Sequence, residues 1–306
     1  MDNQKYKKII DALNEFLPND NILLDEPMRL HTTFRVGGPA DIFVLPSSVD
    51  ELKKIFEAAR KFDVPVTVLG NGSNVLVSDR GIRGVVIEIG KNLSFIRRDG
   101  ATLFIGAGTI LGAASKFAMK HGLTGLEFAV GIPGSVGGAA YMNAGAYDGE
   151  MKNVIKSVKS LDINGNLRER EAGELGLGYR QSIFQSNGEI IVEIVLSLMV
   201  GDKSLIKEKM DGFTKRRMEK QPIELPSAGS TFKRPKGYYA GTLIENAGLK
   251  GLSCGGAQVS PKHAGFIVNT GNATASDIIE LVREVQRRVM EKHGVMLEPE
   301  VRIIGE

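Results

Sequence analysis

Apolar residues at helical spacing open the chain. Tyr6, Ile9, Ile10, Leu13, Phe16 and Leu17 recur every three or four positions until Pro18 stops the pattern, which predicts an amphipathic helix. Short extended segments are expected in MRLHTTFRVGGPADIFVLP, around the turn Gly37-Gly38-Pro39. Ser48-x-x-Glu51 has the spacing of a capping box and precedes Leu52, Ile55, Phe56 and Ala59, so a second helix is predicted there. Val66–Leu69, Val75–Val77, Val85–Ile89 and Thr102–Ile105 read as strands, and Thr109–His121 as a helix. Val154–Leu161 and the Asn164-Gly165 turn read as the start of a hairpin, and Ile190–Met199 as another strand. Helical spacing returns over Lys203–Lys220 before Pro222 and Pro226 break the chain, which sets an expected domain boundary between Val200 and Pro226. The last third predicts a helix over Tyr238–Asn246 ended by Gly248, a strand over Gly265–Val268 and a long helix over Ala275–His293. A final strand is predicted over Leu297–Ile304, where a period of two puts Glu298, Glu300 and Arg302 on one face and Val301 and Ile303 on the other.

Composition narrows this picture only a little. With 306 residues, 42% hydrophobic and 25% charged, the chain is an ordinary globular one with room for two or three compact units. The most apolar run, Ile190–Val200, contains Glu193 and falls short of the ~20 residues that a spanning helix needs. The charged segment MDNQKYKKIIDALNEF does not have the form of a secretory signal, so a soluble cytoplasmic protein is expected. A net charge of +3 suits an anionic ligand and is too small to point to nucleic acid; Lys215, Arg216 and Arg217 form the densest basic cluster, in a helical context. Cys254, the one cysteine, is expected to be a small buried residue, and the spacing of the four histidines predicts no metal site.

The 37 glycines are the unusual count, and they concentrate. In LEFAVGIPGSVGGAAYMNAGAY, Gly131, Gly134, Ser135, Gly137, Gly138, Ala139 and Ala140 leave a stretch of main chain almost without side chains, more than packing asks for. Such a backbone can approach phosphate oxygens with its amides; a turn followed by a tightly packed helix is the plainer reading. Gly70-Asn71-Gly72-Ser73-Asn74, between two predicted strands, is a second cradle candidate. Gly106-Ala107-Gly108 resembles a dinucleotide-binding turn but has Leu111 where G-x-G-x-x-G needs its last glycine, and Gly70-x-Gly72 fails likewise at Val75. Three further stretches carry candidate chemistry: Gly178–Ser182 with Arg180, Pro226–Pro235 with Ser230 beside Lys233 and Arg234, and Leu297–Ile303 with Glu300 and Arg302. Taken singly, these fit equally well a solvated cation, a turn hydroxyl and a solvent-facing charged row.

Taken in order, TTFRVGGPA, LGNGSNVL, GLEFAVGIPGSVGGAAYMNAGAY, YRQSIF, PSAGSTFKRP, GGAQVSPKHAGFIVN and LEPEVRIIG resemble one family over residues 32–305. It is the UDP-N-acetylenolpyruvoylglucosamine reductase family, also called the UDP-N-acetylmuramate dehydrogenase or MurB family, in its shorter subtype. The resemblance implies an α+β fold: an FAD-binding domain of vanillyl-alcohol-oxidase (PCMH) type in two subdomains, plus a C-terminal α+β substrate-binding domain. Mapped on this chain, residues 1–80 with the strand 295–306 form the first subdomain, 81–202 the second, and 203–294 the substrate domain. It implies FAD as cofactor, with Gly70, Asn71, Gly72, Ser73, Asn74, Gly131, Gly134, Ser135, Gly137 and Gly138 around the pyrophosphate and Asn143 and Gly145 nearby. Arg35, Arg302 and Arg217 match positions close to the flavin, and Lys220 and Lys233 positions facing the nicotinamide phosphate or the UDP diphosphate. Arg234 stands where some members carry Asn, and no tyrosine is assigned to the uridine. The family's catalytic positions fall on Arg180, Ser230 and Glu300. The implied reaction is NADPH-dependent reduction of the enolpyruvyl group of a UDP-sugar in peptidoglycan synthesis, by a monomer acting on small molecules only. An FAD-dependent oxidase of the same fold and a non-catalytic nucleotide-binding module are the alternatives.

Overall fold

A computed structural model describes residues 3–306, which divide into two compact units. Of these, the first comprises residues up to 24, with 42–71 and 84–215; the second comprises 25–41, 72–83 and 216–306. The chain last changes unit between Lys215 and Arg216, inside helix Lys203–Lys220 and within the Val200–Pro226 interval expected for a boundary.

The chain begins with α1 (Asn3–Asn14), β1 (Ile22–Pro27) and β2 (Pro39–Val44). Helix α2 (Val49–Lys61) starts at Ser48, whose hydroxyl accepts the Glu51 N–H at 3.1 Å. The Glu51 carboxylate reaches back to the Ser47 N–H at 2.6 Å, one residue earlier than a capping box requires. Ile9, Leu13, Leu52 and Ile55 are fully buried in the core of the first unit, which is why the helical periodicity of both segments was legible. Next come β3 (Val66–Leu69), β4 (Val75–Val77) and β5 (Ile82–Glu88); β3 and β5 pair in parallel, Val66 opposite Val85.

Strands β6 (Ile96–Asp99) and β7 (Thr102–Gly106) precede α3 (Leu111–Lys120), the short β8 (Leu123–Thr124) and α4 (Val136–Tyr141). Between β7 and α3, a Cβ on Gly108 would stand 1.8 Å from the Gly90 carbonyl oxygen. The dinucleotide-like glycines are thus where two stretches of main chain cross, a use that needs no ligand. The two-residue strands β9 (Gly145–Ala146) and β10 (Gly149–Glu150) form a hairpin, followed by β11 (Ile155–Leu161), β12 (Leu167–Glu171), β13 (Ile190–Ser197) and β14 (Met199–Val200).

Five of these strands make an antiparallel sheet in the order β12-β11-β13-β7-β6. Central β13 is buried from Ile190 to Leu196, as its continuous apolar run requires. Its one acid, Glu193, accepts from Lys159 Nζ at 2.8 Å and Arg97 Nη2 at 3.1 Å. The β11–β12 hairpin closes with a longer loop than the two-residue Asn-Gly turn expected, since Leu161 pairs with Leu167. Asp162 organises that loop, its Oδ1 accepting the N–H groups of Asn164 and Asn166 at 2.8 and 2.9 Å.

Helix α5 (Lys203–Lys220) buries only Ile206, Met210 and Phe213. At its exposed centre, a Cβ on Gly212 would meet no heavy atom within 4 Å. Gly212→Ala is expected to raise stability by ~0.5–1 kcal/mol through helix propensity, measured by thermal unfolding.

The remainder is α6 (Ala240–Asn246), β15 (Ser253–Cys254), β16 (Ala257–Val259), β17 (Ile267–Asn269), α7 (Ala275–His293) and β18 (Arg302–Ile304). In the second unit β15-β16-β17 form an antiparallel sheet, and Ile278, Leu281, Val285 and Val289 of α7 lie in its core. Thr274 and Asp277 make a true capping box on α7, and Asp79 adds two acceptors for the Ala275 and Ser276 N–H groups at 2.7 and 2.9 Å.

Two expectations fail here. Only Arg302–Ile304 of the last segment is a regular strand; it pairs in parallel with β4, Arg302 opposite Val75. Before it, a single bridge between Pro299 and Phe232 breaks the alternation, so Ile303 is 49% exposed while Val301 is buried. Cys254 is only half-buried, its Sγ 3.3 Å from Glu280 Oε2, a carboxylate that holds the thiol pKa above its ordinary value.

Candidate active site

In the first unit Gly70, at the start of one glycine-rich loop, meets Ser135 of the other. A Cβ on Gly70 would lie 2.6 Å from Ser135 Oγ, and one on Gly137 would lie 2.8 Å from the Ala107 Cβ. Part of the glycine content is therefore demanded by the protein packing on itself, contrary to the expectation that packing could not account for it. The amides divide the same way. Val136 and Gly137 donate to the Thr109 and Ala107 carbonyls at 2.7 and 2.9 Å, and Gly138 donates to Ser135 Oγ at 3.2 Å as Ser135 caps α4. The plainer reading, a turn and a packed helix, describes this half of the stretch. Among the described residues, the N–H groups of Gly131, Gly134 and Ser135 find no acceptor in the protein, nor do those of Gly70, Asn71, Gly72 and Asn74. Main-chain donors left this way on loops without bulky side chains fit the phosphate oxygens of a dinucleotide.

Several candidate residues sit in backbone conformations that L side chains rarely adopt. Arg35, Asn143 and Arg180 have φ of 55°, 42° and 54°. Such residues cost of order 1–3 kcal/mol each unless their surroundings hold them, and they concentrate at functional sites. Arg180 is the last of the two central residues of a tight turn closed by Gly178 and Gln181, and its Nη2 lies 3.4 Å from the Gly145 carbonyl oxygen. Its guanidinium also stands 5.1 Å from the Tyr179 ring centroid. Asn143 is fully buried, and its side chain bonds Glu150, Lys152 and Gly178 inside the protein, so both of its N–H donors are spent and it has none to offer a cofactor.

In the second unit, Ser230 is exposed on a segment anchored at both ends. Ala228 and Thr231 beside it are 2% exposed; the Ser227 carbonyl accepts from Thr33 Oγ1 at 2.7 Å and the Pro226 carbonyl from the Asn269 N–H at 2.9 Å. Thr231 fixes three neighbours: its N–H donates to Gly265 at 2.8 Å, its Oγ1 accepts from Ile267 at 3.0 Å, and its carbonyl accepts the Glu300 N–H at 2.8 Å. Glu300 therefore stands next to Ser230 despite their separation in sequence. Asn74 clamps the same residue from the other side, its Nδ2 donating to the Glu300 carbonyl at 3.1 Å and its own carbonyl accepting the Arg302 N–H at 3.0 Å. Thr33, Thr231 and Asn269 lie within motifs quoted above, but the sequence marked none of these bonds, because their partners become neighbours only on folding.

Lys233 pairs with Glu298 at the edge of a cavity of about 480 Å³, lined also by Arg234, Lys236, Tyr238 and Met296. The Arg234 guanidinium lies 3.9 Å from the Tyr239 ring centroid, a fixed cation at the same edge. Lys220 and Arg217 occupy the last turn of α5, Lys220 exposed and Arg217 half-buried. Arg35 is exposed between buried Phe34 and Val36.

Two family models match this chain: one described as the UDP-N-acetylenolpyruvoylglucosamine reductase C-terminal domain over residues 221–304, and one described as an FAD binding domain over residues 40–170. The UDP-N-acetylenolpyruvoylglucosamine reductase of Syntrophomonas wolfei is 49% identical over 98% of this chain and 99% of its own. That of Alkaliphilus oremlandii is 50% identical over 98% of both. The chain belongs to the UDP-N-acetylenolpyruvoylglucosamine reductase family. The crystal structure of the reductase from Thermus caldophilus superposes with a TM-score of 0.80 at 38% identity, covering 93% of this chain and 98% of that one. Membership makes this an FAD-dependent α+β oxidoreductase that reduces the enolpyruvyl group of UDP-N-acetylglucosamine enolpyruvate in peptidoglycan synthesis. No helix among the described residues is long and apolar enough to cross a membrane.

Half-buried His263, in the second unit, has a titration shifted by its surroundings. Burial, with Lys250 adding to it, holds the His263 imidazole below its ordinary value, and its Nδ1 accepts the Gly265 N–H at 3.1 Å, which requires the neutral ring. With the folded pKa beneath the unfolded one, this stabilisation is complete above about 6.5 and is lost as pH falls through the folded value. The melting temperature is expected to drop from neutral pH towards acid, and less so in His263→Gln; equal slopes for the two proteins would exclude His263 as the cause.

Proposed function

We propose that NADPH is the reductant, and that Arg180, Ser230 and Glu300 carry the reduction of the enolpyruvyl group. FAD, held by the loop amides named below, would supply the hydride that reaches the substrate's terminal CH2 carbon. That delivery leaves negative charge on the carbon beside the carboxylate, spread into the carboxyl group as an enolate. Arg180 stabilises this charge as a fixed cation, and Glu300 in its acid form donates a hydrogen bond to it. Ser230 gives its proton to the carbon, a feasible step because the enolate is strongly basic.

The observation that supports this reading is the main-chain bond from Glu300 to Thr231, which brings the backbone of Glu300 to the segment that carries the exposed Ser230. The uncommitted amides of Gly70, Asn71, Gly72, Asn74, Gly131, Gly134 and Ser135 support their assignment to the FAD pyrophosphate, with Ser73, Gly137, Gly138 and Gly145 shaping the loops. Arg35, Arg302 and Arg217 are assigned to the flavin's surroundings, and Lys220 and Lys233 to anionic groups of the nucleotides; the basic rim of the 480 Å³ cavity supports the last. The pairing of β18 with β4 supports the return of the C-terminal strand to residues 75–77, within the stretch 1–80 assigned to the first FAD subdomain. Residues 81–202 and 203–294 are then the second subdomain and the substrate domain, in a cytoplasmic monomer. The test is spectral: purified protein should be yellow, bleach with NADPH, and recover its colour on addition of the enolpyruvyl sugar without oxygen. Recovery with oxygen alone would favour an oxidase.

A further inference from the structure

Arg180 occupies a conformation that its own side chain disfavours, so something outside the turn must hold it. Gly178 and Gln181 exchange main-chain hydrogen bonds at 3.1 and 3.2 Å, and Arg180 between them has φ 54°. Two amide side chains grip the carbonyls of this turn. Asn143 Nδ2 donates to the Gly178 carbonyl at 2.8 Å, and Gln185 Nε2 donates to the Arg180 carbonyl at 3.0 Å.

Each amide is itself fixed from a second direction. Asn143 also donates to Glu150 Oε2 at 2.8 Å and accepts from the Lys152 N–H at 2.9 Å, so its plane is determined by three bonds. Gln185 Nε2 also donates to the Tyr141 carbonyl at 3.0 Å, which Ser182 Oγ reaches at 2.6 Å. An Asn with no side-chain exposure and a Gln bonded to two carbonyls form a rigid frame, and an arginine on a two-residue turn can be no better placed than the carbonyls that anchor it.

We propose that Asn143 and Gln185 are positioning residues: they touch neither substrate nor cofactor, and they hold the Arg180 guanidinium where the substrate's developing charge needs it. This rests on the reading of Arg180 as the catalytic cation. It replaces the cofactor contact expected of Asn143 with a mechanical role in the chemical step. Displacing a charge-stabilising group by about 1 Å can cost on the order of 10²-fold in rate without disturbing the fold.

Asn143→Gly tests this cleanly, because glycine keeps the left-handed backbone while removing the side chain. Gln185→Met removes the other grip at similar size. In each folded, flavin-loaded variant, flavin reduction by NADPH is expected at the parental rate, while reoxidation by the enolpyruvyl sugar slows ~10–100-fold. Product binding, measured by calorimetry on the oxidised enzyme, should weaken in parallel. In an Arg180→Ala background the same substitutions should add almost nothing, since there is no guanidinium left to place. Normal reoxidation, an equal loss in both half-reactions, or the full loss repeated without Arg180 would each overturn the positioning role. Gln185→Met decides the matter if Asn143→Gly does not fold. Normal reoxidation by Arg180→Ala alone would instead overturn the reading of Arg180, and the positioning role with it.

Discussion

Ser230→Ala is expected to leave reduction of the flavin by NADPH intact and to slow its reoxidation by the enolpyruvyl substrate by ~10²–10⁴-fold, the usual effect of losing a general acid. The split follows from what each half-reaction asks of the protein. Passing hydride from nicotinamide to flavin needs no proton at a substrate carbon, whereas completing the substrate does. Folding should be unaffected: the Ser230 side chain is exposed, and the segment is held by Ala228, Thr231 and the carbonyls of Pro226 and Ser227. Ser230→Cys keeps an acidic hydrogen at the same place and should recover part of the rate. Rapid-mixing absorbance of the flavin, read once with NADPH and once with substrate, separates the two steps. A slow NADPH step with normal reoxidation would give Ser230 a different role.

Gly72→Ala should be the most damaging of the single-methyl changes in the Gly70–Asn74 loop. Gly72 has φ +58°, and a Cβ there would stand 1.9 Å from the His31 carbonyl oxygen, main chain that no side-chain rotation can clear. The carbonyl of Gly72 also accepts the Thr33 N–H at 3.1 Å, so moving the loop breaks a bond that steadies Thr33 and, through it, Ser227. Overpacking of this kind costs ~1–3 kcal/mol, to which the left-handed conformation adds about 1 kcal/mol. The expected result is a protein purified with much less flavin and with a lower melting temperature. Full flavin content at the parental melting temperature would mean that the loop shifts freely. Gly212→Ala, where there is open space, serves as the opposite control.

The helices and the central strand were legible because their signals are local. Burial of one face of α2 and α7 leaves apolar residues at three- and four-residue spacing, and a strand covered on both sides, such as β13, leaves a continuous apolar run. The family was legible for a related reason: its motifs combine residue types at short spacing, and their order along the chain survives in the sequence itself.

What lay beyond the sequence depends on which distant segments touch. Pro299 bridges Phe232 and Glu300 bonds Thr231, and these pairings, not a period of two, decide which way Glu300, Val301 and Ile303 face. The glycine stretches carry the same ambiguity, because a missing side chain looks identical whether the space goes to a phosphate or to another turn of the protein. Only tertiary structure separates Gly137, crowded by Ala107, from the amides of Gly134 and Ser135, which have no acceptor within the chain. Asn143 makes the point most sharply: the family resemblance put it near the cofactor, and its hydrogen bonds, closed across the fold on Gly178 and Glu150, spend both of its side-chain N–H donors inside the protein.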